Sequence, residues 1–177
     1  DEEPLPVHAP EAPGGLLLAE AVPDHDGPNL VRDPDACRPG AEDDHPLVGR
    51  VDRSVAVLRD EDGTLQVVDD EEGDLCGHGT ACAGVIRAVA PEAELTSVRV
   101  LGAGYKGGGE VMLHGLGWAI EQGFPIVNMS LSTTRTKYVE RLHELADRAY
   151  FKRVLLVASA HNMPVESFPW RFASVIS

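Results

Sequence analysis

Gly77-His78-Gly79-Thr80-Ala81-Cys82-Ala83-Gly84 decides how this 177-residue chain is read. A histidine between two glycines, at the start of a small-residue helix, lets the backbone pack closely while the imidazole projects into a cleft. The helix is expected to run from residue 78 through 86. Downstream, apolar segments alternate with amphipathic ones. Residues 95–101 read as a strand. Residues 110–122 carry Val111, Leu113, Leu116, Trp118 and Ala119 at helical spacing and stop at Gly123. Residues 125–129 read as a buried strand, and 137–150 as a helix with Val139, Leu142, Leu145, Ala146 and Ala149 inside. Residues 154–158 and 172–176 read as two more strands. Strands apolar on both faces, alternating with helices, imply a parallel sheet covered on both sides. In such sheets the site lies at the carboxyl ends of the strands, here residues 102–109, 130–132 and 159–162.

Upstream of residue 74 the texture differs. Residues 1–74 hold 21 Asp and Glu against 5 Lys and Arg, and the remaining residues are close to neutral. The net charge of −14 argues against nucleic-acid binding, which needs a basic face. No apolar run approaches the roughly 18 residues of a membrane span. Residues 1–30 are read as an acidic, Pro-rich arm with one possible strand at 16–21, and residues 31–177 as the domain. The apolar runs 55–58 and 65–68 flank Asp62-Gly63, a hairpin signal. Cys82 reads as a small buried apolar residue, and Cys37 and Cys76 as a conceivable bridge.

Several segments share one resemblance. Gly77-His78-Gly79-Thr80 resembles the His-Gly-Thr motif of the subtilisin-like serine proteases (subtilases, peptidase S8 type). Val98-Arg99-Val100-Leu101-Gly102, Ile126-Val127-Asn128-Met129-Ser130-Leu131-Ser132, Val157-Ala158-Ser159-Ala160-His161-Asn162 and Phe168-Pro169-Trp170 resemble later segments of that family, in the same order. The matches cover roughly residues 45–177. The resemblance implies a three-layer α/β/α domain with a mostly parallel sheet, C-terminally truncated, and peptide-bond hydrolysis through a serine. It makes His78 the general base and acid, and Asn162 the donor to the oxyanion. Gly107, Gly108 and Gly109, with Ser130, Leu131 and Ser132, would line a groove for a peptide or protein substrate. It also implies structural calcium, for which no specific loop is found, and weakly suggests an extracellular location.

Two members of the triad do not follow the pattern. The family's aspartate closes an apolar strand in a strand–Asp–Ser/Thr–Gly pattern shortly before a His-Pro pair. Counting back from His45-Pro46 puts Arg38 at that position, in a stretch ill-suited to a central strand. Asp35, Asp24 and Asp26 are the alternatives. Loss of the aspartate costs on the order of 10⁴ in turnover, because the imidazole loses its tautomer and orientation. No Gly-Thr-Ser-Met-Ala-like segment occurs in the chain. Ser130, Ser132, Ser159, Ser167 and Ser174 all lack that context. Three readings follow: an incomplete copy whose serine comes from a downstream segment or second chain, a catalytically dead module that binds peptides or a protein partner, and a metal site built from Cys37, Cys76 and His78.

Overall fold

The computed structural model describes residues 51–74, 77–102 and 108–177, together with the backbone of Leu16–Glu20. The strands are β1 (Leu16–Glu20), β2 (Arg53–Arg59), β3 (Leu65–Asp69), β4 (Leu95–Arg99), β5 (Ile126–Ser130), β6 (Leu155–Ala158) and β7 (Val175–Ile176). The helices are α1 (His78–Val89), α2 (Gly109–Gln122) and α3 (Val139–Phe151), the last preceded by a 3-10 turn over Thr136–Tyr138. The sheet order is β3-β2-β4-β1-β5-β6-β7. All neighbouring pairs are parallel except the β2–β3 hairpin, whose turn at Asp62-Gly63 is closed by Asp60. The crossovers between parallel strands leave no other antiparallel neighbour.

The strand suspected at residues 16–21 is present as β1, and it lies in the middle of the sheet. Its backbone pairs with β4 on one side and β5 on the other. The strand expected over 172–176 is shorter. Phe172 and Val175 donate their N–H groups back to Pro169 and Phe172 in turns, so only Val175–Ile176 pairs with β6. The Phe172 ring packs instead against Phe168 and the edge of His143.

Strand alternation sorts the core onto two faces. On one face Val55, Val57, Val98, Val100, Val127, Met129, Leu156 and Ala158 meet α2 and α3 in a single apolar cluster. Leu142, Leu145, Ala146 and Ala149 are the buried positions of α3, at i, i+3, i+4 and i+7. On the other face Leu95 meets α1 through Ala83, Cys82 and Ile86. The domain is thus three-layered, as expected. Asp52 fixes the far end of α1 to β4: its carboxylate accepts from the Leu95 N–H at 2.7 Å and from Arg87 at 2.6 Å. Those two partners hold its pKa below the ordinary carboxylate value. The α1 side of β5, β6 and β7 carries Ile126, Leu155 and Ile176, which are 38%, 43% and 51% exposed.

Beneath β2, Asp70 forms a two-pronged pair with Arg99 at 2.8 and 2.9 Å, and Glu72 adds a contact at 3.0 Å. Side-chain exposure is 9% for Arg99 and 1% for Asp70. The pair ties the end of the hairpin to the end of β4.

Candidate active site

His78 opens α1, and its position is set by residues on both sides. Gly77 precedes it with φ of 74°, in the left-handed region that favours glycine. Gly77 has no side chain to cap the helix, so the first turn is capped from further upstream. The Asp74 carboxylate accepts from the N–H groups of Gly77 and Thr80, each at 2.8 Å, and from the Thr80 hydroxyl at 2.7 Å. This meets one of the orphan donors of the helix start and places a negative charge at its positive end. Asp74→Ala is expected to destabilise by about 1 kcal/mol, the usual cost of a lost cap. In a domain of this size that lowers Tm by about 2–4 °C, measurable by differential scanning calorimetry. An unchanged Tm would mean that Asp74 does not hold the helix start.

One turn along, Cys82 stands four residues after His78 and therefore on the same helix face. Its Sγ lies 3.7 Å from His78 Nε2 and 3.4 Å from Ser130 Oγ. Asn128 Nδ2 donates to the same Ser130 oxygen at 3.0 Å. The reading of Cys82 as a plain buried residue is therefore corrected: it is half-buried and bridges α1 to the end of β5. The i, i+4 spacing from His78 was the signal in the sequence. Cysteine's general preference for cores obscured it.

The candidate groove segments lie at the same end of the sheet. Ser130 closes β5, Leu131 is buried in the core and Ser132 is half-buried beyond it. Gly108 and Gly109 start α2. A Cβ on Gly109 would lie 2.1 Å from the Tyr138 ring, so glycine there is required by close approach. Gly107 lies outside the described residues, as do Asp24, Asp26, Asp35, Arg38, Cys37 and Cys76. The suggested bridge and the suggested Cys37–Cys76–His78 metal site therefore also fall outside them.

Asn162 is exposed, in the bend after β6. Its loop is tied to the β5 end at two points. Ser159 N–H donates to Met129 at 3.0 Å. Thr133 and Phe168 exchange a pair of backbone hydrogen bonds, each 2.9 Å. The buried Ser167 hydroxyl serves as the knot of the loop, accepting from His161 N–H at 3.2 Å and from Trp170 Nε1 at 2.7 Å. The loop that carries Asn162 is thus anchored beside the end of β5. Among the described residues, no three His, Cys, Asp or Glu side chains converge so as to hold a metal. No described helix is long and apolar enough to cross a membrane.

The model of the subtilase family matches residues 43–169, well over half of the chain. The chain belongs to the subtilase family. This subtilase is 37% identical over 114 residues to the minor extracellular protease Epr of Bacillus subtilis, a match covering 57% of the chain and 17% of that protein. It is 33% identical over 138 residues to an intracellular serine protease of Paenibacillus polymyxa, covering 70% and 39%. Subtilisin Savinase of Lederbergia lenta is 35% identical over 112 residues, covering 57% and 41%. The chain therefore spans between about a sixth and two-fifths of the length of these relatives. The crystal structure of a lanthipeptide protease superposes with a TM-score of 0.51 at 20% identity, covering 82% of this subtilase and 39% of that chain. At that identity the likeness speaks for the fold.

Proposed function

We propose that the chain is the base-bearing part of a subtilisin-like serine endopeptidase and is inactive by itself. The observation that carries this is His78: it is the first residue of α1, held by Asp74 and adjoining the carboxyl end of β5 through Cys82 and Ser130. In this reading the His78 imidazole takes a proton from a serine hydroxyl as that oxygen attacks the peptide carbonyl, then returns it to the leaving amine. The Asn162 amide donates to the developing oxyanion. Removing one such donor lowers turnover about 10²–10³-fold, a figure known from a subtilisin. The substrate is an extended peptide or protein segment lying between Gly107, Gly108 and Gly109 on one side and Ser130, Leu131 and Ser132 on the other. The serine is supplied by a segment outside these 177 residues, downstream or in a second chain. The exposed Ile126, Leu155 and Ile176 on the α1 side of the sheet support a fold that further structure would cover.

A fluorophosphonate probe tests the reading. The 177-residue chain, read by intact mass, is expected to remain unlabelled. Addition of a serine-bearing subtilase segment is expected to give labelling that His78→Ala abolishes. Labelling of the chain alone, dependent on His78, would sink the claim that its nucleophile comes from elsewhere. A folded chain that binds peptides but never labels, with or without the added segment, would mark a dead peptide-binding module.

A further inference from the structure

We infer that His161 is a positioning residue for the oxyanion donor: its imidazole and the Ser167 hydroxyl bracket Asn162 and set the direction in which the Asn162 side chain leaves the loop. This rests on the role proposed for Asn162. Burial does not hold that residue. Residues 162–166 are all exposed, so the direction of the Asn162 side chain has to come from the backbone. An oxyanion donor contributes most when it is aimed before the reaction starts.

The amide groups on either side of Asn162 are held by side chains. The N–H of His161 donates to Ser167 Oγ at 3.2 Å. The N–H of Met163 donates to His161 Nδ1 at 3.0 Å. The first amide enters residue 161 and the second leaves residue 162. The backbone that carries the Asn162 side chain therefore lies between two fixed points. The bracket is itself anchored. Ser167 is 0% exposed, and its oxygen also accepts from Trp170 Nε1 at 2.7 Å. Its neighbour Phe168 exchanges two backbone bonds with Thr133, beyond the end of β5. On the far side, the Met163 carbonyl accepts from Val165 N–H at 2.7 Å and tightens the loop. A continuous path of bonds thus runs from the β5 end through Ser167 to both flanks of Asn162.

The acceptor defines what the bracket requires. An imidazole nitrogen accepts only when it carries no proton, so this bond selects the neutral ring with its proton on Nε2. A side-chain acceptor that takes the N–H two residues on has the spacing of an Asx turn, which asparagine makes with its amide oxygen. Asparagine at position 161 therefore keeps the bracket without an imidazole, and leucine removes it. Ser167 is a blunter probe, because its loss also strands the Trp170 donor. His161 touches no reacting atom and acts through Asn162.

The tautomer is read first, from ring ¹⁵N resonances of the folded 177-residue chain. The neutral His161 ring is expected to carry its proton on Nε2, and a proton on Nδ1 overturns the assignment. Because this uses the unaltered chain, it decides even if a variant fails to fold. Three-bond couplings of the Asn162 side chain come second. One χ1 rotamer is expected in the unaltered chain and in His161→Asn. Averaged rotamers are expected in His161→Leu and Ser167→Ala, with the amides of β5 and β6 undisturbed. A single rotamer retained in His161→Leu, or averaging already present in the unaltered chain, also overturns it. With the serine-bearing segment added, His161→Leu is expected to slow fluorophosphonate labelling about 10-fold or more, since a misplacement of about 1 Å costs up to about 10²-fold. His161→Asn is expected to recover most of that rate. A rate unmoved by His161→Leu, once its rotamer is averaged, overturns the link to the oxyanion. A pair that never labels removes the endopeptidase reading, and the tautomer and rotamer still decide the bracket.

Discussion

Leu18→Pro is expected to abolish cooperative folding of the domain. Residue 18 is in the middle of β1 and pairs with Ser97 of β4 on one side and Asn128 of β5 on the other. Proline removes the backbone donor and brings a ring into the ladder, which is tolerated at sheet edges and not at a centre. The position also has a topological role. β3, β2 and β4 lie on one side of β1, and β5, β6 and β7 on the other. Loss of β1 leaves two three-stranded halves with no strand between them. A domain is stable by only about 5–15 kcal/mol, and losing the central ladder exceeds that margin. Urea unfolding followed by circular dichroism should change from a single sigmoid to a shallow, non-cooperative slope. A sigmoid with its midpoint near that of the unaltered chain would mean that β1 is dispensable. Loss of the domain would then have to be sought elsewhere.

Asp70→Ala is expected to cost about 3–5 kcal/mol, because removing one partner of a buried ion pair strands the other. Arg99 would lose its two-pronged partner while its contact with the exposed Glu72 remains. The double variant Arg99→Met/Asp70→Leu is expected to recover most of the loss, since an apolar pair of similar size avoids the desolvation of two charges. Urea midpoints of the single and double variants decide the matter, and equal losses in both would show that the charges are not what holds the hairpin to β4. Acid gives a parallel check. Burial works against ionisation of Asp70, but hydrogen bonds and charge from Arg99, helped by the Gly73 and Glu72 N–H groups, outweigh it and hold its pKa below the ordinary 3.8. The folded-state value is thus depressed. Its contribution is present above 3.8 and lost as pH falls through the lower folded value. The double variant should lose less stability over that acid interval than the unaltered chain.

Local pattern made most elements legible. The apolar spacing of Leu142, Leu145, Ala146 and Ala149 defined α3, and Gly123 ended α2. The Asp62-Gly63 turn defined the β2–β3 hairpin. His78 stood out because its neighbours are small and ordered in a family-like way. Position in the sheet was less legible. The run Leu16-Leu17-Leu18-Ala19 reads as a strand, but nothing within a few residues says that its partners are Leu95 and Ile126. That pairing comes from tertiary packing. Asp74 went unnoticed because it caps α1 from outside the helix. Composition suggested a buried Cys82, and only the packing of α1 on β5 reveals its contacts with His78 and Ser130.

The place of β1 also orders events during synthesis. β1 is the first of the described strands to be made, yet its neighbours β4 and β5 come much later. Until both are made, residues 16–20 have no partner and the inner edges of β4 and β5 stay open. Closing so long a loop is paid for before the ladder returns anything. A nascent chain therefore carries an unpaired apolar strand until β5 has been made, with the hairpin, α1 and α2 free to form before it. Exposed strand edges of that kind are where chains stick to one another. The register that sets β1 between β4 and β5 thus holds back the centre of the sheet until β5 has been made.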